Sequence, residues 1–308
     1  MISAKVILDS ISTAGIRLVT MELKYPRFIH GEVMTHRDRA RNSASSRAIP
    51  WRKWKDGIDG VRLREGWRRG DVSMATMVAG LDPRCMMAMI MSDPVVPLSF
   101  DGEQRGMQSG EAVACQERAR GIWLAARDEA VIRADELWEM GIHKSLVNRI
   151  VEPWMWMTTL MTASEWANLL RLRDHDAAEK HFRVLARAIR VALEESIPVE
   201  RDEHAPYLMV GEAELEDRAL ISAARCARVS YLNHEGTVDL KKDRDLAQRL
   251  INPSNALNGD KNDAIHASPF EHVAIAGKPG EWSGPFHGWI QFRKTFKGEN
   301  VSGIFPPS

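Results

Sequence analysis

An α+β fold, with a β-sheet flanked by long helices, is what this sequence predicts, and three observations carry the reading. Ile16 to Tyr25 is rich in β-formers and alternates apolar with polar residues over its second half. Between about residues 107 and 195, apolar residues recur at helical spacings of three and four. The last 40 or so residues return to short strand-like and turn-like segments.

Taken in order, residues 1–34 read mainly as strands. Pro26 closes the clearest one, and a second short apolar segment, Phe28 to Met34, runs directly into residues 35–50, a basic turn that ends at Pro50. Within that turn, Thr35 to Arg47 holds Arg37, Arg39, Arg41 and Arg47 together with His36, Asn42, Ser43, Ser45 and Ser46. Arginine presents a fixed fork of donors for phosphate or carboxylate, and serine hydroxyls and turn N–H groups fill the remaining acceptor positions. A solvated basic loop is the plain alternative. If Phe28 to Met34 is a strand, however, the turn sits at a sheet edge, where a rigid scaffold commonly carries a ligand loop. A nucleotide or nucleic acid is the natural ligand.

Residues 51–70 interleave Trp51, Trp54 and Trp67 with basic side chains; without an RNA-binding fold pattern around them, a surface segment is the preferred reading. Ala112, Cys115, Ala119, Ile122 and Ala126 mark a helix over 107–140 that stops at Gly141. A second helical stretch is expected over 143–172, interrupted near Pro153, and a third over 175–195, before Pro198. Trp154, Met155, Trp156, Met157, Met161 and Trp166 read as core. Residues 198–216 form an acidic connection, Ala223 to Tyr231 a helix running into a strand, Asp239 to Ile251 a short charged helix, and Asn252 to Asp263 a loop.

A chain of 308 residues with 44% hydrophobic residues, 27% charged residues and zero formal net charge has the composition of an ordinary soluble protein. Attraction to an anion must therefore be local, and residues 31–69 carry eleven Lys/Arg against five Asp/Glu. Cys85, Cys115 and Cys226 have neither metal-ligand spacing nor an even count, so no metal is expected and a reducing cytoplasm is the expected location. The first residues lack a signal-peptide pattern and no apolar run reaches the roughly 18 residues of a membrane span, so no membrane partner is expected.

Three further clusters could carry chemistry. His266 to His272 (His-Ala-Ser-Pro-Phe-Glu-His) brings two imidazoles, a carboxylate and a hydroxyl around a proline; as a metal site it lacks further ligands. The others are Arg225 to Tyr231 and Glu165 to Arg173, where Asn168 and Arg171 share a helix face more nearly than Asn168 and Arg173 do. Each alone is equally a set of caps, ion pairs or core histidines.

Together they resemble the flavin-dependent thymidylate synthases. That family's Arg-His-Arg triplet followed by Ser and Arg is matched by Thr35-His36-Arg37 with Asn42, Ser45 and Arg47. Its His-Glu-Thr-Pro-Phe-Glu-His-like segment is matched by residues 266–272, its Ala-Arg-Val-Ser by 227–230, and its helix with Asn and a terminal Leu-Arg by Asn168 and Leu172-Arg173. In the shorter family members the Ala-Arg-Val-Ser and Pro-Phe-Glu-His segments precede the triplet, whereas here they follow the helices. The resemblance therefore implies a thymidylate synthase complementing protein-like fold, circularly permuted, as a single domain over 1–308, with the basic turn and helices in 1–197 and the permuted part in 217–308. A faint second triplet region, Gln291-Phe292-Arg293-Lys294 with Glu299 and Asn300, leaves duplication and decay as another history.

What the resemblance implies can be carried over by position. Ser45, Ser46, Arg47 and Arg149 would bind the nucleotide. Arg173 would sit at the pyrimidine and favour ionisation at N3, and His266 would face folate and flavin; these two are the catalytic candidates. His36, Arg37, Asn168, Ser230, Ser268 and Glu271 would line FAD, held between subunits of a homo-oligomer, a tetramer. The implied reaction moves a methylene from methylenetetrahydrofolate to C5 of dUMP, with NADPH as reductant, giving dTMP. The rival readings are the same alkylation on UMP or dCMP, adding methyl or hydroxymethyl, and a non-catalytic nucleotide- or RNA-binding protein; nucleic acid is the less favoured partner. Thr35 for the first arginine and Glu32 for a glutamine depart from the family pattern, as do Thr162 and Ser164 for Asn and Arg.

Overall fold

The computed structural model describes residues 1–45, 94–103, 108–208, 211–212, 215–229, 239–251, 265–296 and 299. The expected surface segment at 51–70 and the loop at 252–263 lie outside them. In chain order the elements are β1 (Ser3–Ile11), β2 (Arg17–Pro26), β3 (Ala40–Ser43), α1 (Gln116–Glu139), β4 (Trp156–Ala163), α2 (Ala167–Arg173), α3 (Lys180–Glu195), β5 (Val199–Glu200) and β6 (Glu203–His204). Then follow α4 (Leu215–Arg228), α5 (Leu240–Ile251), β7 (Ala274–Ala276), β8 (Trp282–Ser283), β9 (Phe286–His287) and β10 (Trp289–Gln291).

The main sheet is mixed, in the order β3-β4-β2-β1-β5; β1, β2, β4 and β3 pair antiparallel, and β5 joins β1 parallel. Side chains alternate across it, so each face has its own cover. On one face Val19, Met21, Leu23, Tyr25, Met157 and Met161 pack against Phe182, Leu185, Ala186 and Ile189 of α3. On the other, Leu18 and Ala40 meet Ala274, Phe286 and Trp289, while Leu160 meets Cys226 and Val229 at the end of α4. The C-terminal part of the chain thus covers the sheet that the N-terminal part builds. Gly288, at φ +67, lets the chain turn directly above Ile16, and Trp289 Nε1 donates to Ile16 O at 3.0 Å.

Three elements differ from expectation. Phe28 to Met34 is not a strand but a 3-10 turn (Arg27–Ile29) and a single helical turn (His30–Val33). Part of the basic turn is itself a strand, β3, on the sheet edge. The stretch 143–172 is not helical throughout: after short turns over Lys144–Val147 and Asn148–Trp154 it becomes β4. Methionine and leucine favour helix locally, yet hydrogen bonding to β2 on one side and β3 on the other outweighs that preference. The expected core role of its Met and Trp side chains holds, with Met157, Met161, Trp154 and Trp166 buried.

The long helix α1 ends as expected at Gly141, φ +83, where the N–H groups of Gly141 and Ile142 bond to Trp138 O and Leu137 O. Its buried face is not the Cys115/Ile122/Ala126 stripe, since Ile122 is 63% exposed; Arg127, Val131 and Ala134 point inward instead.

Candidate functional site

The site is organised by β3. The strand lies antiparallel to β4 with Ala40 opposite Thr162 and Ser43 opposite Thr159, and Ala44 N–H extends the pairing to Thr158 O. One end of β3 is therefore near the start of α2; the other, at Ser45, runs toward the 148–154 turn that carries Arg149.

At the first end, Arg173 closes α2 and its Nε donates to His36 Nε2 at 3.0 Å. The guanidinium also sits over the Phe182 ring, 4.9 Å from its centroid, and Phe182 meets the His36 ring edge-on. Burial, reinforced by Arg39 and Arg173, pushes His36 down to about 4, with Asp38 opposing. At neutral pH the imidazole is uncharged and its Nε2 lone pair can accept from the guanidinium. Burial lowers Arg173 while Glu32 raises it. Arg37 and Asn168 are exposed, and Arg171 reaches Asn168 Oδ1 at 3.4 Å.

Arg39 and Arg41 of the basic segment are tied into the fold. Arg39 is 2% exposed, paired with Asp38 and seated over the Trp166 ring at 5.4 Å. Arg41 donates to the carbonyls of Met34 and His36 at 2.7 and 3.2 Å, closing the loop between the helical turn and β3. Thr35 bonds back to Glu32 O at 2.7 Å. The charge surplus seen in the sequence is thus partly internal.

The distant segments meet β3 from its other face. Asn42 Nδ2 donates to Cys226 O at 2.8 Å, and the 3-10 turn Ser268–His272 packs against β3 and α4. In that turn Ser268 is exposed, Glu271 is ion-paired with Arg293, and His272 is fully buried, its Nδ1 bonded to Thr162 Oγ1 at 2.8 Å. His266, just before the turn, is exposed, and its N–H bonds to Leu250 O. Ser46, Arg47 and Ser230 lie outside the described residues.

At the second end, Ser45 is half-buried, and Arg149 is exposed with its Nε on Ser145 O at 3.1 Å. Arg149 lines a cleft of about 360 Å³ with Arg27, Phe28, His30, Glu152 and Pro153. His30 belongs to a polar chain that sequence reading missed: Ser43 Oγ to Thr159 Oγ1 at 2.9 Å, Thr159 to Tyr25 OH at 2.7 Å, and Tyr25 to His30 Nδ1 at 2.9 Å. A second chain, on the opposite face, links Ser10, His204, Thr20, Thr162 and His272. The only signal for either in the sequence is the run of threonines in β4. Burial raises the Cys226 thiol, which leaves it without thiolate character.

No protein-family model matches the sequence, and no curated protein matches it. Among solved structures, two are similar over part of their length. Thymidylate synthase X (ThyX) from Helicobacter pylori, solved with FAD and dUMP, is 17% identical, covering 57% of this chain and 67% of that one, at a TM-score of 0.33. The UMP/dUMP methylase PolB from Streptomyces cacaoi, bound to 5-Br dUMP, is 14% identical, covering 63% of this chain and 91% of that one, at 0.41. The chain resembles the flavin-dependent thymidylate synthases. The residues singled out in the sequence are shared out along β3: Arg173, His36, Arg37 and Asn168 near its start, Ser45 and Arg149 near its end, and Ser268 and Glu271 on the turn behind it. Among the described residues no group of three His, Cys, Asp or Glu is placed to hold a metal, and no helix is long and apolar enough to cross a membrane.

Proposed function

We propose that this chain is a flavin-dependent enzyme that alkylates C5 of a pyrimidine nucleotide, with dUMP as substrate and dTMP as product. The observation that carries the reading is the convergence on β3 of three segments far apart in sequence, through His36–Arg173, Asn42–Cys226 and the packing of residues 268–272. A permuted order of segments and one undivided domain belong to the same reading.

The donor set suits FAD. Arg37, Asn168 and Ser268 present exposed polar groups, and the one carboxylate among the candidates, Glu271, is neutralised by Arg293. His36, Arg37, Asn168, Ser230, Ser268 and Glu271 would hold the cofactor, which when bound supplies hydride chemistry. NADPH as reductant and methylenetetrahydrofolate as one-carbon donor are the co-substrates, and a homotetramer is the assembly. Ser45, Ser46, Arg47 and Arg149 bind the phosphate end. Arg173 binds the base: its charge favours the N3 anion, which makes C5 a better nucleophile. His36 fixes the rotation of that guanidinium without adding charge, because its own proton affinity is low. His266 faces folate.

Purified protein should be yellow or become so with FAD, and should release tritium from 5-tritiated dUMP when given methylenetetrahydrofolate and NADPH. Release from UMP or dCMP instead would reassign the base, and release from none would overturn the proposal.

A further inference from the structure

The chain Ser43–Thr159–Tyr25–His30 runs along one face of the sheet, from the last residue of β3 across β4 and β2 to the cleft beside His30. Tyr25 and Thr159, its middle members, are fully buried, whereas Ser43 and His30 at its ends are half-buried. Every member can both donate and accept, so the chain can carry a proton along its length.

We propose that these four side chains form a proton relay that carries the C5 proton of the pyrimidine from the β3 edge to the cleft; this rests on the function proposed above. The balance is one proton in and one out. The C5–H bond breaks with its electron pair left on the ring, and the proton bonds to Ser43 Oγ. The Ser43 proton moves to Thr159, that of Thr159 to Tyr25, and that of Tyr25 to His30 Nδ1, while the Nε2 proton of His30 passes to water in the cleft. Exchange with water in the cleft then moves the His30 proton from Nδ1 back to Nε2 with no net gain or loss, and rotation of the hydroxyls completes the reset.

Each group stays neutral when the hops are concerted, and the surroundings favour that course. Burial holds the Tyr25 hydroxyl far above its ordinary range, so a tyrosinate is not populated. Burial, with Arg27 and Arg41 nearby and Glu152 opposing, holds His30 down at about 4, so a lasting imidazolium is not either. A stepwise path through charged members is closed, and a cooperative chain of neutral hydrogen bonds remains open.

Two measurements test the relay. In Tyr25→Phe the chain is cut at its centre; tritium release should slow roughly 10²-fold, with nucleotide and FAD binding retained. The solvent-deuterium dependence of that step, bowed in the natural protein because several protons move together, should become linear. A variant with unchanged rate and a bowed dependence overturns the relay. The second measurement needs no activity: 15N NMR of the His30 ring in the natural protein and in Tyr25→Phe. The relay requires a resting Nδ1 that accepts from Tyr25, so the natural ring should be the Nε2–H tautomer and its Nδ1 resonance should shift when Tyr25→Phe removes that donor. A resting Nδ1–H tautomer, or a ring spectrum identical in the two proteins, overturns the relay. Should the natural protein release no tritium at all, the proposed function fails, and the NMR measurement alone decides the relay.

Discussion

His36 offers the sharpest quantitative test, because one side chain links the stability of the fold to the state of Arg173. It is 8% exposed and its proton affinity falls to about 4 through burial and the Arg39 and Arg173 charges. In the unfolded chain the imidazole binds a proton near its ordinary value of about 6.5. The folded value is the lower one, so below 6.5 the unfolded state holds more protons and stability falls as pH drops; above 6.5 the contribution is fully present. Between about pH 7.5 and about pH 5 the loss from this residue alone is about 2 kcal/mol, and it levels off below about pH 4. Urea unfolding followed by tryptophan fluorescence across that range measures it. His36→Gln should flatten the pH dependence by that amount, leaving the contributions of the other buried histidines in place. A pH dependence identical in the two proteins would refute the argument, as would a His36 ring resonance titrating near 6.5. The same protonation removes the acceptor of the Arg173 Nε–H, so base ionisation and stability should weaken over one pH window.

Arg173→Ala removes the charge proposed to stabilise the N3 anion and should lower tritium release by about 10²-fold or more; FAD affinity within twofold or so of the natural protein would separate this from loss of the cofactor site, and unchanged release would remove Arg173 from the chemistry. Asp243, fully buried, accepts from Arg225 Nε at 2.9 Å and pairs with Arg228 at 2.5 Å. Asp243→Asn takes one of two carboxylates from buried Arg225, which keeps Glu212, and one from half-buried Arg228, and should cost about 2–3 kcal/mol by urea unfolding; a loss under about 1 kcal/mol would show the pair to be more hydrated than its burial implies. Cys226, wholly buried with a raised thiol pKa, should resist iodoacetamide until the protein is unfolded, and Cys226→Ala should keep its tritium release; a folded but inactive variant would point to cysteine chemistry.

What could be read from the sequence follows from how local each cause is. The strand β2 shows in its own alternation and α3 in its own period, because burial of one face writes itself into consecutive residues. The strand β4 does not, because Met, Trp and Leu fit a buried helix equally well and its pairing partners lie more than a hundred residues upstream. For the site, the basic segment was visible as composition, but composition cannot say which arginines face inward. Arg39 and Arg41 are spent on Asp38, Trp166 and two loop carbonyls. The His36–Arg173 contact joins positions 137 apart, and no spacing rule reaches that far.

The two departures at the start of the basic segment act together. Relative to the resembled pattern, Thr35 removes a positive charge and Glu32 adds a negative one, and both changes fall on the same helical turn, where Thr35 is tied to the Glu32 carbonyl. Glu32 acts on Arg173 directly, raising its proton affinity against the effect of burial. In the proposed reaction Arg173 would meet the base with one arginine fewer than in the resembled pattern and with a carboxylate to steady it. A guanidinium in that setting is held more firmly as a cation but exerts a weaker net field on a pyrimidine anion. On the proposed function, selectivity at the base end would then depend on hydrogen-bond geometry, fixed by His36, more than on total charge.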